Sequence, residues 1–241
     1  MTYVMSDIHG CYDKYIKMLK KIDFTDDDTL YVLGDVIDRG DGSFKVMQDM
    51  SMRANVLPIM GNHEYAGYAV LKDIQKLMFE VTDESLDALE KSSLDIADIA
   101  RTIEIWTNGY GSASTIDEFR ELSEDDREFM LEYIEEFSLY EIIEVNGLKY
   151  LLTHFGIPKG ATLKNLNQYN GYDFIEAELD YSKNYFKGIT IITGHLPTFV
   201  IDESHRGRIY RKNNIINIDT GAVFGETLAC LCLNTNEEFY I

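Results

Sequence analysis

Residues 29–40 read TLYVLGDVIDRG, a short apolar run that ends in glycine and two carboxylates. Two further stretches share this pattern: residues 2–10 read TYVMSDIHG, and residues 56–64 read VLPIMGNHE. Runs of this length, rich in β-branched and apolar residues, predict buried strands, and the helix-like segments 13–22 and 43–52 lie between them. The alternation predicts an α/β fold in which each strand ends in a polar cluster.

The rest of the chain divides into a helical part and a strand-rich part. Residues 67–136 are acidic, with amphipathic pieces at 84–92 and 125–137, and predict a helical insertion or cap. Strands resume after it with a hairpin around Asn146-Gly147, a dipeptide that favours a type I′ turn. The strands predicted here are 139–145, 148–153, 189–193, 209–211, 215–218, 227–233 and 239–241. We therefore predict a single domain over residues 1–241, with two sheets in a sandwich flanked by helices.

The composition excludes several classes of function. The chain has 22 lysine and arginine residues against 42 aspartate and glutamate residues, and its formal net charge of −20 opposes binding to a nucleic-acid backbone. The same charge repels phosphorylated substrates, so phosphate chemistry would require metal cations at the site. No apolar stretch approaches the ~20 residues of a membrane helix, and residues 1–10 lack the pattern of a secretion signal. We expect a cytoplasmic protein that binds neither nucleic acid nor membrane, with its oligomeric state left open.

The three cysteines do not suggest a disulfide-stabilised fold. Their number is odd, and a chain of 241 residues can bury enough apolar surface without disulfides. Cys230 and Cys232 have the spacing of one strand face within an apolar run, so we predict that they pack in the core. These features fit a reducing compartment.

Polar clusters follow five of the predicted strands. Their candidate ligands and catalytic residues are Asp7, His9, Asp35, Asp38, Arg39, Asn62, His63, His154 and His195. Because the carboxyl ends of strands in open α/β sheets face one crevice, these side chains can converge. Each cluster taken alone is more often a turn or a helix start, but together they share one position and one ligand chemistry. Oxygen and imidazole donors without thiolates suit Mn, Fe, Zn or Ni. His205 lies outside the clusters, in a polar loop, and is expected to be exposed.

Three motifs carry a resemblance to a known family. They are Asp7-x-His9-Gly10, Gly34-Asp35-x-x-Asp38-Arg39-Gly40 and Gly61-Asn62-His63-Glu64. In this order they resemble the calcineurin-like metallophosphoesterase superfamily, and within it the phosphoprotein phosphatase branch. Segments 194–198 and 218–225 resemble bacterial and bacteriophage-lambda-type serine/threonine phosphatases. Symmetrical diadenosine tetraphosphatases share much of the same pattern.

The resemblance implies two bound divalent transition-metal ions, with manganese as the first expectation. The implied ligands are Asp7, His9 and Asp35 for the first ion, and Asp35, Asn62, His154 and His195 for the second. Asp35 would bridge the two ions. Relatives outside this branch often carry a further histidine two places after the one at His195, where this chain has Pro197.

The resemblance also implies a reaction, hydrolysis of a phosphate ester by a hydroxide held between the two metal ions. Arg39 would bind phosphoryl oxygens, because its guanidinium offers a planar fork of donors. His63 would protonate the leaving oxygen, and Asp38 would orient that imidazole and favour its charged form. The metallophosphoesterase resemblance therefore predicts a phosphoric-ester hydrolase.

The substrate remains open between several readings. The first is a phosphoserine or phosphothreonine phosphatase that acts on a phosphorylated protein or a small phosphoester. The alternatives are a symmetrical dinucleoside tetraphosphate hydrolase and a metal-binding regulatory module with weak turnover. Bacterial relatives often carry a phosphate-binding arginine shortly before the glycine-histidine motif, whereas residues 175–182 here contain acids, including Glu178. Glu226 follows Gly225 where relatives tend to have a second glycine, so tight phosphate binding is in question.

Overall fold

The structure, a computed structural model, describes residues 1–80 and 95–241. The strands of this part of the chain are β1 (Thr2–Met5), β2 (Thr29–Leu33), β3 (Val56–Ile59), β4 (Tyr140–Val145), β5 (Leu148–Thr153), β6 (Ile189–Thr193), β7 (Tyr210–Lys212), β8 (Ile215–Asn217), β9 (Ala229–Cys232) and β10 (Glu238–Tyr240). The α-helices are α1 (Tyr12–Lys21), α2 (Ser43–Ser51), α3 (Asn62–Glu80), α4 (Ile96–Tyr110), α5 (Ala113–Glu121), α6 (Glu124–Glu135), α7 (Gly171–Ile175) and α8 (Thr198–Ile201). Short 3-10 turns occur at Leu166–Gln168, Glu203–His205 and Ala222–Phe224.

The strands form two five-stranded sheets, in the orders β10-β9-β1-β2-β3 and β4-β5-β6-β8-β7. Three strands of each sheet run parallel, β1, β2 and β3 in the first and β5, β6 and β8 in the second. The remaining strands pair antiparallel at the edges. Parallel strands place their carboxyl ends at one edge of a sheet, which is the arrangement that the polar clusters require.

The core has one layer between the sheets and one on each outer face. The inner layer contains Val4, Leu33, Ile59, Leu152 and Ile192, all fully buried. The outer face of the first sheet packs against α1, α2 and α3 through Met5, Leu30, Val32, Met18, Met47 and Leu71. The second sheet covers its outer face with a smaller cluster that includes Leu151, Ile191 and Phe174. Successive strand residues point to opposite layers, so both sheets are buried on both faces, as expected for parallel strands.

The helices α4, α5 and α6 lie in the segment 67–136 that the sequence predicts to be a helical insertion. The side chain of Asp95 accepts a hydrogen bond from the Asp98 amide at the start of α4, and Gly111 ends that helix with φ of 74°. Trp106 is buried against α3, where a Cβ atom at Gly67 would lie 2.6 Å from its ring. Glycine at this position therefore lets α3 and α4 approach closely.

The predicted α/β sandwich is confirmed, and most strand predictions fall within one or two residues of the observed bounds. The hairpin turn has φ of 53° at Asn146 and 78° at Gly147, the left-handed pair that a type I′ turn needs. The helical piece predicted at 84–92 lies outside the described residues. Cys230 and Cys232 are buried, as predicted. No helix in the described residues is long and apolar enough to cross a membrane.

The exposure prediction for His205 is confirmed in part. His205 was expected to be solvent-exposed, and its side chain is 37% exposed. Its ring packs edge to face against Tyr210, with 4.9 Å between the ring centroids. The contact explains the burial, because Tyr210 belongs to strand β7 and presents an aromatic surface below the loop.

Candidate active site

The polar segments that follow β1, β2, β3 and β6 are joined to one another by hydrogen bonds. The His9 amide donates to the carbonyl of Asp35 at 2.9 Å, and the His63 amide donates to Oδ1 of Asp35 at 3.1 Å. The His195 amide donates to Oδ2 of Asp7 at 3.1 Å. These bonds hold the ends of four strands from both sheets around one point.

Several residues at this point have a left-handed backbone. The residues and their φ values are Asp7 (52°), His9 (45°), Asp35 (50°), Asp38 (72°), Arg39 (71°) and His195 (72°). This conformation costs free energy in residues other than glycine, because Cβ crowds the backbone. Such strain concentrates where side chains must be aimed at a ligand, which indicates a functional site.

Asp35 lies at the centre of the site. Its Oδ2 atom is 3.6 Å from Nε2 of His9 and 3.7 Å from Nε2 of His63, while its Oδ1 atom is 3.3 Å from Nε2 of His154. The two carboxylate oxygens therefore face different groups of imidazoles. Two sets of side chains could each hold a metal ion: His9, Asp35 and His63, and Asp35, His154 and His195. Asp35 belongs to both sets, as a bridging ligand would.

Asn62 adds an oxygen to the second set. Its Oδ1 atom lies 2.9 Å from Nδ1 of His195 and 3.2 Å from Nε2 of His154. Asp7 is arranged differently, because its carboxylate accepts hydrogen bonds from the His195 amide and from the hydroxyl of Ser6. Within the described residues Asp7 belongs to neither three-residue set, and His63 takes the third place beside His9 and Asp35.

Backbone carbonyls select the tautomers of two histidines. Nδ1–H of His9 donates to the carbonyl of Ile37 at 2.9 Å, and Nδ1–H of His154 donates to the carbonyl of Leu33 at 2.6 Å. Each Nε2 atom is thereby aimed at Asp35. A histidine ligand whose second nitrogen donates to a carbonyl is a common arrangement at metal sites, because it fixes both ring orientation and tautomer.

The electrostatics of the site fit bound cations. Burial and the nearby Asp219 carboxylate raise the pKa of Asp7, whereas the imidazoles of His154 and His63 outweigh burial at Asp35 and hold its pKa well below the usual range. Burial opposes protonation of His154, but Asp35 raises its pKa to about 10. Nε2 of His154 lies 3.3 Å from Oδ1 of Asp35 and 3.2 Å from Oδ1 of Asn62. A divalent cation bound between these atoms would offset the buried negative charge.

A second pair of charged groups adjoins the first metal set. Nδ1–H of His63 donates to Oδ2 of Asp38 at 2.7 Å, and both side chains are buried. Nε2 of His63 has no hydrogen-bond partner among the described residues, although it is also buried. Arg39 is exposed beside them, and its Nη1–H donates to Nε2 of His9 at 2.9 Å. The site therefore places the His63 imidazole, with one unpaired nitrogen, near a guanidinium that contacts His9.

Glu64 organises the loop that carries Asp35. It is fully buried, and its carboxylate accepts from the backbone amides of Asp35 and Gly61 through Oε2, and of Val36 and Ile37 through Oε1. These are charge-assisted bonds, stronger than those between neutral groups. Sequence reasoning quoted Glu64 only as part of a motif, yet a glutamate directly after Asn62-His63 was a signal that could have found it.

A comparison with models of known protein families gives a match to the calcineurin-like phosphoesterases over residues 2–219. The chain belongs to the calcineurin-like phosphoesterase family. Members of this family use divalent metal ions, which agrees with the imidazole and carboxylate sets around Asp35.

Individual proteins that are similar to this chain carry different names. A symmetrical bis(5'-nucleosyl)-tetraphosphatase from Enterobacter sp. is 42% identical over 77 residues, which span 31% of this chain and 27% of the relative. A crystal structure described as a proposed diadenosine tetraphosphatase has a TM-score of 0.62 at 16% identity and covers all of this chain and 92% of that one. A serine/threonine phosphatase from Saccharomyces cerevisiae has a TM-score of 0.57 at 14% identity, covering all of this chain and 79% of that one. At such identities the two structures share the fold alone.

Two further acidic residues bear on the phosphoesterase site. Glu178 is exposed and lines a cavity of about 380 Å³ that extends to His195. Asp219 is buried near Asp7, and burial raises its pKa to about 7. The sequence indicated this residue only as a member of the segment 218–225. The cavity beside His195 therefore has a carboxylate at its wall.

Proposed function

We propose that this chain is a metal-dependent phosphoric-ester hydrolase that acts on phosphomonoesters such as phosphoserine and phosphothreonine. The observation that carries the proposal is the pair formed by His63 and Asp38. Asp38 and Arg39 belong to neither of the two possible metal sets of the described residues, so metal binding alone does not account for them. An imidazole held by a carboxylate, with its other nitrogen unpaired and facing the metal sets, suits the donation of a proton to a leaving oxygen.

The metal ions would be held by Asp35 together with His9 on one side and with Asn62, His154 and His195 on the other, and Asp7 would complete the first set. When bound, two cations lower the pKa of water and neutralise charge on the phosphoryl group. Arg39 binds phosphoryl oxygens through its guanidinium, and Asp38 keeps Nδ1 of His63 as a donor. Manganese remains the first expectation, and residence in the cytoplasm remains a prediction.

A second candidate substrate is a symmetrical dinucleoside tetraphosphate. The 42% identity over 77 residues to a tetraphosphatase favours it. The same residues would serve there, but the leaving group would be a nucleoside diphosphate, which departs more easily than a serine alkoxide. The need for a proton donor such as His63 is greater for the alkoxide, which supports the monoester as the first candidate.

A phosphate-release panel tests the proposal. The purified chain with Mn²⁺ is assayed on phosphoserine, phosphothreonine and phosphotyrosine peptides, diadenosine tetraphosphate and small phosphomonoesters, and kcat/KM is compared. The highest kcat/KM on a phosphoserine or phosphothreonine peptide supports the first candidate. The highest value on the dinucleotide replaces it with the second, and no turnover of any substrate leaves a metal-binding module.

The wall of the cavity beside His195 gives a prediction about phosphate affinity. Glu178→Arg replaces a repulsive charge with a guanidinium, so KM for anionic phosphomonoesters is expected to fall about 1.5- to 5-fold, the range for an exposed charge pair. The matched control is Glu144→Arg. Glu144 is exposed on β4, opposite Lys149, and lies at the end of β5 that is away from His154. The control substitution changes the net charge by the same amount as Glu178→Arg. Equal KM values in parent and Glu178→Arg would show that this wall does not face the substrate.

A further inference from the structure

The described part of the helical insertion reaches into the site at Asp38. Nε1–H of Trp106, on α4, donates to Oδ2 of Asp38 at 3.0 Å. The hydroxyl of Thr115, on α5, donates to Oδ1 of Asp38 at 2.7 Å. Both side chains are buried, and they lie 68 and 77 residues from Asp38 along the chain. Each oxygen of this carboxylate therefore has a donor from the insertion.

The donors leave little freedom in how the hydrogens are arranged. Indole nitrogen can only donate, so Oδ2 of Asp38 accepts from Trp106 as well as from His63. The backbone amide of Asp38 donates to the hydroxyl oxygens of Ser43 at 3.1 Å and Thr115 at 3.0 Å. An ionised carboxylate oxygen can only accept, so the Thr115 hydroxyl donates its hydrogen to Oδ1. The carboxylate plane is thus fixed from both sides.

The insertion also contacts His63 and Arg39 directly. The ring of Tyr110 packs edge to face against His63, with 5.0 Å between the ring centroids. The ring of His9 also packs edge to face against His63, with 4.6 Å between the centroids. The Arg39 amide donates to the carbonyl of Gly111 at 2.9 Å, at the end of α4. His63 and Arg39 therefore both contact the C-terminal end of α4.

We propose that Trp106 and Thr115 are positioning residues for proton transfer, which hold Asp38 so that His63 keeps Nδ1–H on the carboxylate and aims Nε2 at the leaving oxygen. The proposal rests on the proposed function, because it requires His63 to be the proton donor. The insertion is then part of the catalytic apparatus as well as a cover. An imidazole whose partner can tilt presents its proton at poorer distance and angle, and catalysis depends steeply on both.

A purely structural role is the competing explanation, since Trp106 also packs closely on Gly67. The structural and the positioning roles can be distinguished with variants that preserve the packing. Trp106→Phe keeps an aromatic ring and loses the N–H donor, and Thr115→Val keeps the shape and loses the hydroxyl. Thr115→Ser restores the hydroxyl. Thr102→Val, on the same helix as Trp106, is the matched control because the Thr102 hydroxyl donates only to the carbonyl of Ile99.

The experiment measures kcat on phenyl phosphate and p-nitrophenyl phosphate, whose leaving groups differ in their need for a proton. We expect Trp106→Phe and Thr115→Val each to lose roughly 10-fold on phenyl phosphate, as expected for a lost hydrogen bond to a charged group, and clearly less on p-nitrophenyl phosphate. Thr115→Ser should recover most of the loss, and Thr102→Val should show none. In a His63→Asn background, Trp106→Phe should add less than about 2-fold, because residues that act through one group are not additive.

Thermal melts and metal content, measured on the same samples, exclude unfolding and metal loss. Equal losses on the two substrates, or full additivity with His63→Asn, would overturn the positioning role. If His63→Asn discriminates between the substrates while Trp106→Phe and Thr115→Val do not, the inference fails and the proposed function stands. If His63→Asn itself does not discriminate, the proton donor of the proposed function is wrong, and this inference falls with it.

Discussion

Asp35→Asn is expected to remove more activity than the loss of any other single metal ligand. Both oxygens of Asp35 face imidazole groups, Oδ2 towards His9 at 3.6 Å and Oδ1 towards His154 at 3.3 Å, so two cations would depend on one carboxylate. Neutralising it weakens both. The expected loss of kcat/KM exceeds the roughly 10- to 100-fold that removal of an outer hydrogen-bonding partner of a metal ligand typically causes.

The measurement is kcat/KM together with bound metal per molecule. Asparagine preserves the shape of the side chain, and its carbonyl oxygen can still accept from the His63 amide, so the fold should persist. Asp41→Asn is the matched control, since Asp41 is exposed in the same loop. Near-parental activity with full metal content in Asp35→Asn would mean that Asp35 does not bridge two ions.

His63→Asn is the second large effect. It should lower kcat on a phosphoserine peptide by ~10²–10⁴-fold, the usual worth of general acid catalysis, and far less on p-nitrophenyl phosphate. The reason is chemical, because a serine alkoxide leaves poorly without a proton and p-nitrophenolate leaves well as the anion. The position of Nε2, 3.7 Å from Oδ2 of Asp35, puts the proton next to the metal sets.

Metal content decides what other results mean. His63 adjoins Asn62 in the chain and could itself be a ligand, since it falls within one of the two possible metal sets. Equal losses on both substrates with metal retained would make His63 a binder of phosphate or of the transition state. Equal losses with metal missing would make it a ligand, and the proton-transfer step proposed here would be wrong.

The sheets and the polar strand ends could be predicted from the sequence because both depend on local patterns. Apolar runs such as 29–33, short and rich in β-branched and aromatic residues, favour buried strands, and the residue types that follow them are those that metal ions bind. The central place of Asp35 follows from its position after β2, between two other strands of a parallel sheet. The family motifs indicated which residues would bind each of the two metal ions.

The residues that hold the side chains of the site in place could not be predicted from local sequence patterns. Trp106 and Thr115 lie in helices whose sequence shows only amphipathic spacing, and nothing local indicates that they reach Asp38. Such contacts depend on how the insertion packs on α3, which is a property of the tertiary structure. The role of Glu64 could have been predicted, because a carboxylate at the start of a helix can accept hydrogen bonds from backbone amides.

Metal content and turnover measured on one preparation test most directly whether this chain hydrolyses phosphate esters with bound metal ions. We expect up to two transition-metal ions per molecule, loss of all hydrolysis in excess chelator, and recovery when Mn²⁺ is added back. A preparation without bound metal that keeps undiminished turnover in excess chelator would contradict the metal-dependent mechanism.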